Sequence, residues 1–393
     1  MTKTVVIAGA ARTPMGGFQG DFAGTPSPEL GAAAIAGALK SAHVGVDDVD
    51  EVLMGCVLPA GLGQAPARQA TLGAGLPQSV PATTINKVCG SGMKSVMVAH
   101  DQIIAGSQNL MVAGGMESMT LAPYMSVKTR SGARLGHVEM KDHMFTDGLE
   151  DAYDKGTLMG QFAELCAEKY QFTREDQDAY ALQSLTNALE AQKSGAFDAE
   201  IVPFTVKTRK GDIEIKQDEQ PVKARPEKIP TLRPAFKKDG TITAANASSI
   251  SDGAAAMVLT SEENATAKGL TARACIVGHA SYAQEPSWFT TAPVGATKKL
   301  LENIGWDASD VDLWEVNEAF AVVPMAFMKE IGISRDIVNV NGGACALGHP
   351  IGVSGTRIIV TLLNALETRG LKRGVAAICI GGGEGTAIAI ERV

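Results

Sequence analysis

The chain has 393 residues, 45% hydrophobic and 5% aromatic, with 43 glycines and a formal net charge of -8. That length accommodates two or three domains, and a glycine-rich, aromatic-poor balance suits an α/β protein with many tight strand–helix turns. The acidic balance argues against nonspecific nucleic-acid binding, and no apolar run approaches the roughly 20 residues of a membrane span.

Six cysteines, at positions 56, 89, 166, 275, 345 and 379, include no C-x-x-C pair. Neither a disulfide framework nor a metal site is expected from them, and a reducing, cytoplasmic setting is. The start of the chain is interrupted too soon to read as a signal peptide.

Val5–Ala8 is a short apolar run closed by Gly9, the pattern of a buried strand. Cys89 stands in Asn86-Lys87-Val88-Cys89-Gly90-Ser91-Gly92, between an expected strand and an expected helix. Met93, Val96, Met97, His100, Ile103 and Ile104 give that helix its spacing, and Gly106 its stop. A thiol at a helix start faces unpaired amides and the positive dipole end, which favours thiolate. Gly90 and Gly92 are expected to let a substrate carbonyl approach the backbone. The competing reading is a buried structural cysteine.

From about 120 to 246 the texture changes. Thr173-Arg-Glu-Asp176 predicts a capping box for a helix running to Gly195. Lys207 to Lys238 holds ten Lys/Arg and five Asp/Glu, a local +5, with prolines at 221, 226, 230 and 234. This reads as an inserted, loop-rich, basic subdomain, either a solvated face or a seat for a phosphate-bearing ligand.

Asn317-Glu318-Ala319-Phe320-Ala321 follows an expected strand, where α/β proteins place ligand-binding groups and where asparagine also caps helices. His349 sits between Gly348 and Pro350, with the space beside Gly348 expected to be open. A helix follows, spaced by Ile358, Ile359, Leu362, Leu363 and Leu366. Cys379 ends an apolar strand and runs through Ile380 into Gly381, Gly382 and Gly383. Without G-x-G-x-x-G and its acidic partner, this is not a nicotinamide site. A nucleophile, a base for it and a second thiol, if brought together, are the equipment of acyl transfer through a thioester.

The chain also repeats itself. Gly45–Gly55 resembles Gly305–Glu315, the turn after Asn86 resembles the one after Asn341, and Leu110–Ser118 resembles Ala377–Gly385. The three matches keep their order at similar offsets, so each half is expected to be one strand–helix unit of a duplicated fold.

Together with Arg12-Thr13-Pro14, Gly114 to Met119 and Asn246-Ala247-Ser248, these motifs resemble the thiolase family over nearly the whole chain. The resemblance implies two similar halves, 1–267 and 268–393, in a five-layered αβαβα arrangement, with a loop domain at about 120–246 inserted in the first. It implies reversible Claisen condensation of two acetyl-CoA to acetoacetyl-CoA, or thiolysis of a 3-ketoacyl-CoA, through an acyl-Cys89 thioester. Cys89 matches the nucleophile, His349 its base, and Cys379 the acid/base for the α-proton. Asn317 matches the holder of a water in one oxyanion hole, and the amides of Cys89 and Gly381 match the other. Ser248 matches a coenzyme A contact, and the basic insertion the region that covers coenzyme A. Met159, Phe320 and Leu158 are placed at the substrate, with Met125, Trp288 and Phe289 as further acyl-pocket candidates. Coenzyme A is substrate and product, no other cofactor is implied, and the expected assembly is a homo-oligomer, tetramer or dimer. Leu158 stands where many acetoacetyl-forming members have histidine, so a longer acyl chain is one alternative. A ketoacyl-synthase relative is disfavoured by the Cys379-Ile-Gly-Gly-Gly motif, and a non-catalytic acyl-CoA-binding protein by the presence of all three reactive residues.

Overall fold

The computed structural model describes residues 3–393. Its first half contributes strands β1 (Val5–Arg12), β2 (Glu51–Gly55), β3 (Ala82–Ile85), β4 (Leu110–Ser118) and β5 (Ser251–Ser261), with helices α1 (Ser27–Ala42) and α2 (Ser91–Ala105). The second contributes β6 (Ala274–Ala283), β7 (Leu313–Val316), β8 (Arg373–Ile380) and β9 (Glu384–Arg392), with α3 (Ala292–Ile304), α4 (Val322–Ile331) and α5 (Ser354–Arg369).

The two halves repeat one topology. β2 pairs β4 in parallel, β4 pairs β5 antiparallel, and β5 pairs β1 antiparallel. In the same way β7 pairs β8, β8 pairs β9, and β9 pairs β6. Even a local irregularity is duplicated: the register slips between Ile7 and Gly9 and again between Ile276 and Gly278. Each bulge glycine faces an outer helix. A Cβ on Gly9 would stand 2.5 Å from Ala38 O of α1, and one on Gly278 2.7 Å from Ile304 of α3.

The sheets meet edge to edge where Val5, Val6 and Ile7 pair with Ile276, Cys275 and Ala274, making one continuous strand path. α1 covers one outer face and α3 and α4 the other, while α2 and α5 lie together between the sheets. Layer by layer this is αβαβα, with three apolar clusters between the layers. The central layer explains why two helices there begin with glycine-rich turns. A Cβ on Gly92 would lie 2.8 Å from Thr356 Oγ1, on Gly355 2.3 Å from Met93 N, and on Gly115 2.0 Å from Gly352 O. Only glycine lets the starts of α2 and α5 approach this closely.

Between β4 and β5 runs the inserted segment. Its Arg174–Ser194 helix begins with the expected capping box: the Asp176 amide donates to Thr173 Oγ1 at 3.1 Å, and the Thr173 amide to Asp176 Oδ2 at 3.0 Å. The basic stretch carries a hairpin (Phe204–Thr208 with Gly211–Ile215) and short helical turns. Buried Arg12 bolts it to β1, pairing with Glu200 Oε1 at 2.5 Å and with Asp218 Oδ1 at 2.6 Å. Among the described residues no helix is long and apolar enough to cross a membrane.

Candidate active site

Cys89 and His349 occupy equivalent turns, each ahead of a central helix. The Cys89 turn is held under strain: Val88, a β-branched residue, has φ +46. Asn86 Oδ1 accepts from the Val88 amide at 2.9 Å, and Ser91 Oγ accepts from the Lys87 amide at 2.8 Å and donates to Val88 O at 2.7 Å. These bonds aim the thiol into a cavity of about 370 Å³. The amides of Gly381 and of Cys89 itself favour the charged form of its sulfur.

The helix-start setting, expected to favour thiolate at Cys89, is outweighed. Burial pushes the thiol up to about 11, and the two amides only partly oppose it. Nor do Gly90 and Gly92 open the backbone to substrate. A Cβ on Gly90 would stand 2.4 Å from Ile380, and Gly92 is taken up by helix packing.

His349 follows Gly348, whose φ of +100 with ψ 167 suits only glycine. The space beside Gly348 is filled rather than open, because a Cβ there would lie 2.1 Å from Ser251 Oγ. Ser354 Oγ donates to Pro350 O at 3.1 Å and lies 2.5 Å from His349 Nδ1. It therefore accepts the Nδ1–H, which leaves Nε2 bare and facing Asn317 Nδ2 at 3.5 Å. Burial, and then the charge of Arg357, push the imidazole down to about 3, so it is neutral at physiological pH. Ser354 is a positioning residue that sequence reasoning missed. Its only signal was its place at the start of the helix after His349.

Cys379 is fully buried on β8, with its thiol pushed well above the usual range by burial and then by nearby Cys89. Gly382 (φ +89) and Gly383 (φ +84) form the left-handed turn after it. Asn317 continues β7, and its amide bonds Ala377 O at 3.0 Å. Its side-chain oxygen is buried without a hydrogen-bond partner. The adjacent Glu318 serves the architecture instead. Its carboxylate accepts from Tyr180 (2.9 Å), Ser184 (2.7 Å), Asn339 (2.8 Å) and the Cys345 amide (3.0 Å). It clasps the inserted helix to the corner that holds Asn317.

Cys89, His349, Gly381, Ser248, Leu158, Met159 and Phe320 all line the one cavity, while Cys379 and Asn317 sit behind its wall. Ser248 Oγ donates to Ala319 O at 2.9 Å. Phe236 and Phe289 pack edge-on against Phe320, with ring centres 5.9 and 6.4 Å away, and a π-helical turn, Phe145–Leu149, closes another side. Of the further candidates, Phe289 lines the cavity, but Met125 and Trp288 do not. The Trp288 ring instead stacks under the Lys169 ammonium at 4.5 Å. A second buried glutamate, Glu117, also escaped sequence reading. It accepts from the amides of Val57 (2.9 Å) and Leu58 (3.1 Å), and burial pushes it up to about 7.

A duplicated αβαβα fold whose central helices present a cysteine and a neutral histidine to one apolar cavity is the frame of a thiolase. Residues 5–263 match the thiolase N-terminal domain and residues 270–392 the thiolase C-terminal domain, and the chain belongs to the thiolase family. It is 52% identical to acetyl-CoA acetyltransferase 2 of Arabidopsis thaliana, covering 99% of this chain and 97% of that protein. It is 49% identical to the acetyl-CoA acetyltransferase of Schizosaccharomyces pombe, covering 99% of both. The crystal structure of the Bacillus anthracis acetyl-CoA acetyltransferase superposes with a TM-score of 0.97 at 42% identity, covering 100% of this chain and 99% of that one.

Proposed function

We propose that this enzyme is an acyltransferase that condenses two molecules of acetyl-CoA into acetoacetyl-CoA and coenzyme A, and runs the reverse thiolysis. The observation that carries this is the convergence of Cys89, His349 and Gly381 on one apolar cavity, with Cys379 beside Cys89. Bare Nε2 of His349 takes and keeps the Cys89 proton, the sulfur attacks the thioester carbonyl, and coenzyme A leaves as its thiol with the proton of Cys379. The amides of Cys89 and Gly381 form one oxyanion hole, where losing a single donor typically costs about 3–4 kcal/mol of barrier. His349 forms the other with Asn317, whose unpartnered oxygen suits a bound water.

Acylation also prepares the second half-reaction. Cys379 lies beside Cys89 and is positioned to serve as the acid/base of that step. The thiolate left on Cys379 takes the α-proton of the second acetyl-CoA, the resulting carbanion displaces Cys89 from the acetyl group, and the Cys89 sulfur recovers its proton from His349 Nε2.

Ser248 and the basic insertion hold coenzyme A in this reading. A neighbouring cavity of about 310 Å³ shares Ala244 and Ser249 with the first and is lined by Lys223, Arg225 and Lys228. Lys223 is already engaged with Asp21 and Glu219, which leaves Arg225 and Lys228 for phosphates. Edge strand β3 and exposed Tyr124, Val127 and Leu135 support assembly into a dimer or tetramer. We retain 1–267 and 268–393 as the two halves, supported by the short β1–β6 seam, together with a cytoplasmic location and no cofactor beyond the substrates.

The test is thiolysis of acetoacetyl-CoA by coenzyme A, with mass spectrometry of the quenched enzyme. An acetyl group on the Cys89 peptide and loss of turnover by about 10⁴-fold or more in Cys89→Ala are expected. Turnover without acyl-Cys89 would reject the mechanism, and no turnover by the folded enzyme would reject the function.

A further inference from the structure

Away from the catalytic cavity, side chains from the two halves converge near the surface. His100 and Asp101 lie in the last two turns of α2, and His279 lies on β6, past the seam with β1. His100 Nδ1 is 3.0 Å and His279 Nε2 is 2.9 Å from the same Asp101 Oδ1. The two imidazoles meet edge to face with centres 5.0 Å apart, and the three ligand-capable atoms lie within 4.8 Å of one another. Neither the thioester chemistry nor the coenzyme A seat uses any of them.

Two ligands at right angles around an ion, each about 2.1 Å from it, stand about 3.0 Å apart. That is the spacing of each imidazole nitrogen from the Asp101 oxygen, so small side-chain rotations would bring all three atoms onto one ion. Two imidazoles and one carboxylate on a single face leave the other positions to water, a donor set suited to divalent first-row transition metals. The imidazole side chains are only 15% and 16% exposed, which holds the rings in place, whereas Asp101 at 57% leaves an ion a way in.

We propose that His100, Asp101 and His279 form a site for one divalent transition-metal ion of the zinc, nickel or cobalt type. Each ring presents its bare nitrogen to the ion and keeps its proton on the other. The ion ties α2, which carries Cys89 at its start, to β6 of the opposite half, so it acts on stability rather than on chemistry.

The experiment takes the full chain, dialysed against a chelator, and titrates it with Co²⁺ and Zn²⁺ by calorimetry and absorption. One ion per chain is expected, with no thiolate-to-cobalt charge-transfer band and a higher thermal midpoint when loaded. His279→Gln and Asp101→Asn, each removing one of three ligands, should weaken binding roughly tenfold or more and abolish the midpoint shift. Both variants should keep wild-type thiolysis, which also reports that they fold. No binding, binding unchanged in both variants, or a thiolate band from a cysteine site would each overturn the proposal and leave the cluster a hydrogen-bonded triad.

Discussion

The Cys89 turn and the His349 turn hold the same place in two copies of one unit, yet each solves its local problem differently. The first keeps a β-branched residue, Val88, in the left-handed region and offsets the strain with bonds from Asn86 and Ser91. The second uses Gly348 and fixes its histidine through Ser354. Burial neutralises both, lifting the thiol to about 11 and lowering the imidazole to about 3. Duplication thus supplied two matched positions aimed at one cavity, and divergence made one a nucleophile and the other a base. The proton rests on sulfur until a substrate oxyanion, met by the amides, stabilises the charged state.

The contrast breaks most sharply at the residue before each functional group. Gly348→Ala should cost about 3 kcal/mol or more, since its Cβ would meet Ser251 in a backbone region reserved for glycine. Val88→Gly should leave stability within about 1 kcal/mol, because lost strain offsets added chain entropy. Urea titration of both reads the difference directly, and equal costs would mean the turns are built alike.

Ser354→Ala should lower kcat about 10–100-fold, from one lost hydrogen bond to a group that must become charged. KM should change little, and Ser354→Thr should recover part of the loss. A KM effect alone would make Ser354 structural.

The pH dependence of stability sharpens the same comparison. His349 has a folded value of about 3 against an ordinary 6.5, so in that window the unfolded chain binds the extra proton. The native state therefore loses stability as pH falls from about 6.5 toward about 3. Cys89 works in the opposite direction: its folded value of about 11 against 9.0 means stability is lost as pH rises from about 9 to about 11. Denaturation midpoints of His349→Gln should show a shallower acid slope than wild type, and those of Cys89→Ala a shallower alkaline slope.

The smallest effect is expected at Leu158. Its apolar side chain lines the cavity, so some turnover of 3-ketoacyl chains beyond four carbons is expected. Leu158→His should narrow thiolysis toward four carbons by several-fold, a discrimination of about 1–3 kcal/mol at most. An unchanged chain-length profile would remove Leu158 from specificity.

Much of this molecule was legible in its sequence because the signals are local. Apolar period and glycine stops mark α2 and α5, Thr173 and Asp176 mark a helix start, and three ordered matches mark the duplication. The reactive residues stood out because each sits in a glycine-rich turn. Tertiary structure decided what depends on neighbours far along the chain. It gave Gly92, with Gly355, to the packing of two helix starts rather than to substrate. It set Ser354 on His349, put Glu318 to clasping the insertion, and split the basic run between internal ion pairs and the rim of a cavity. It also outweighed the local preference for thiolate at Cys89, because a helix dipole is a local property whereas desolvation is the sum of everything the fold packs around the sulfur.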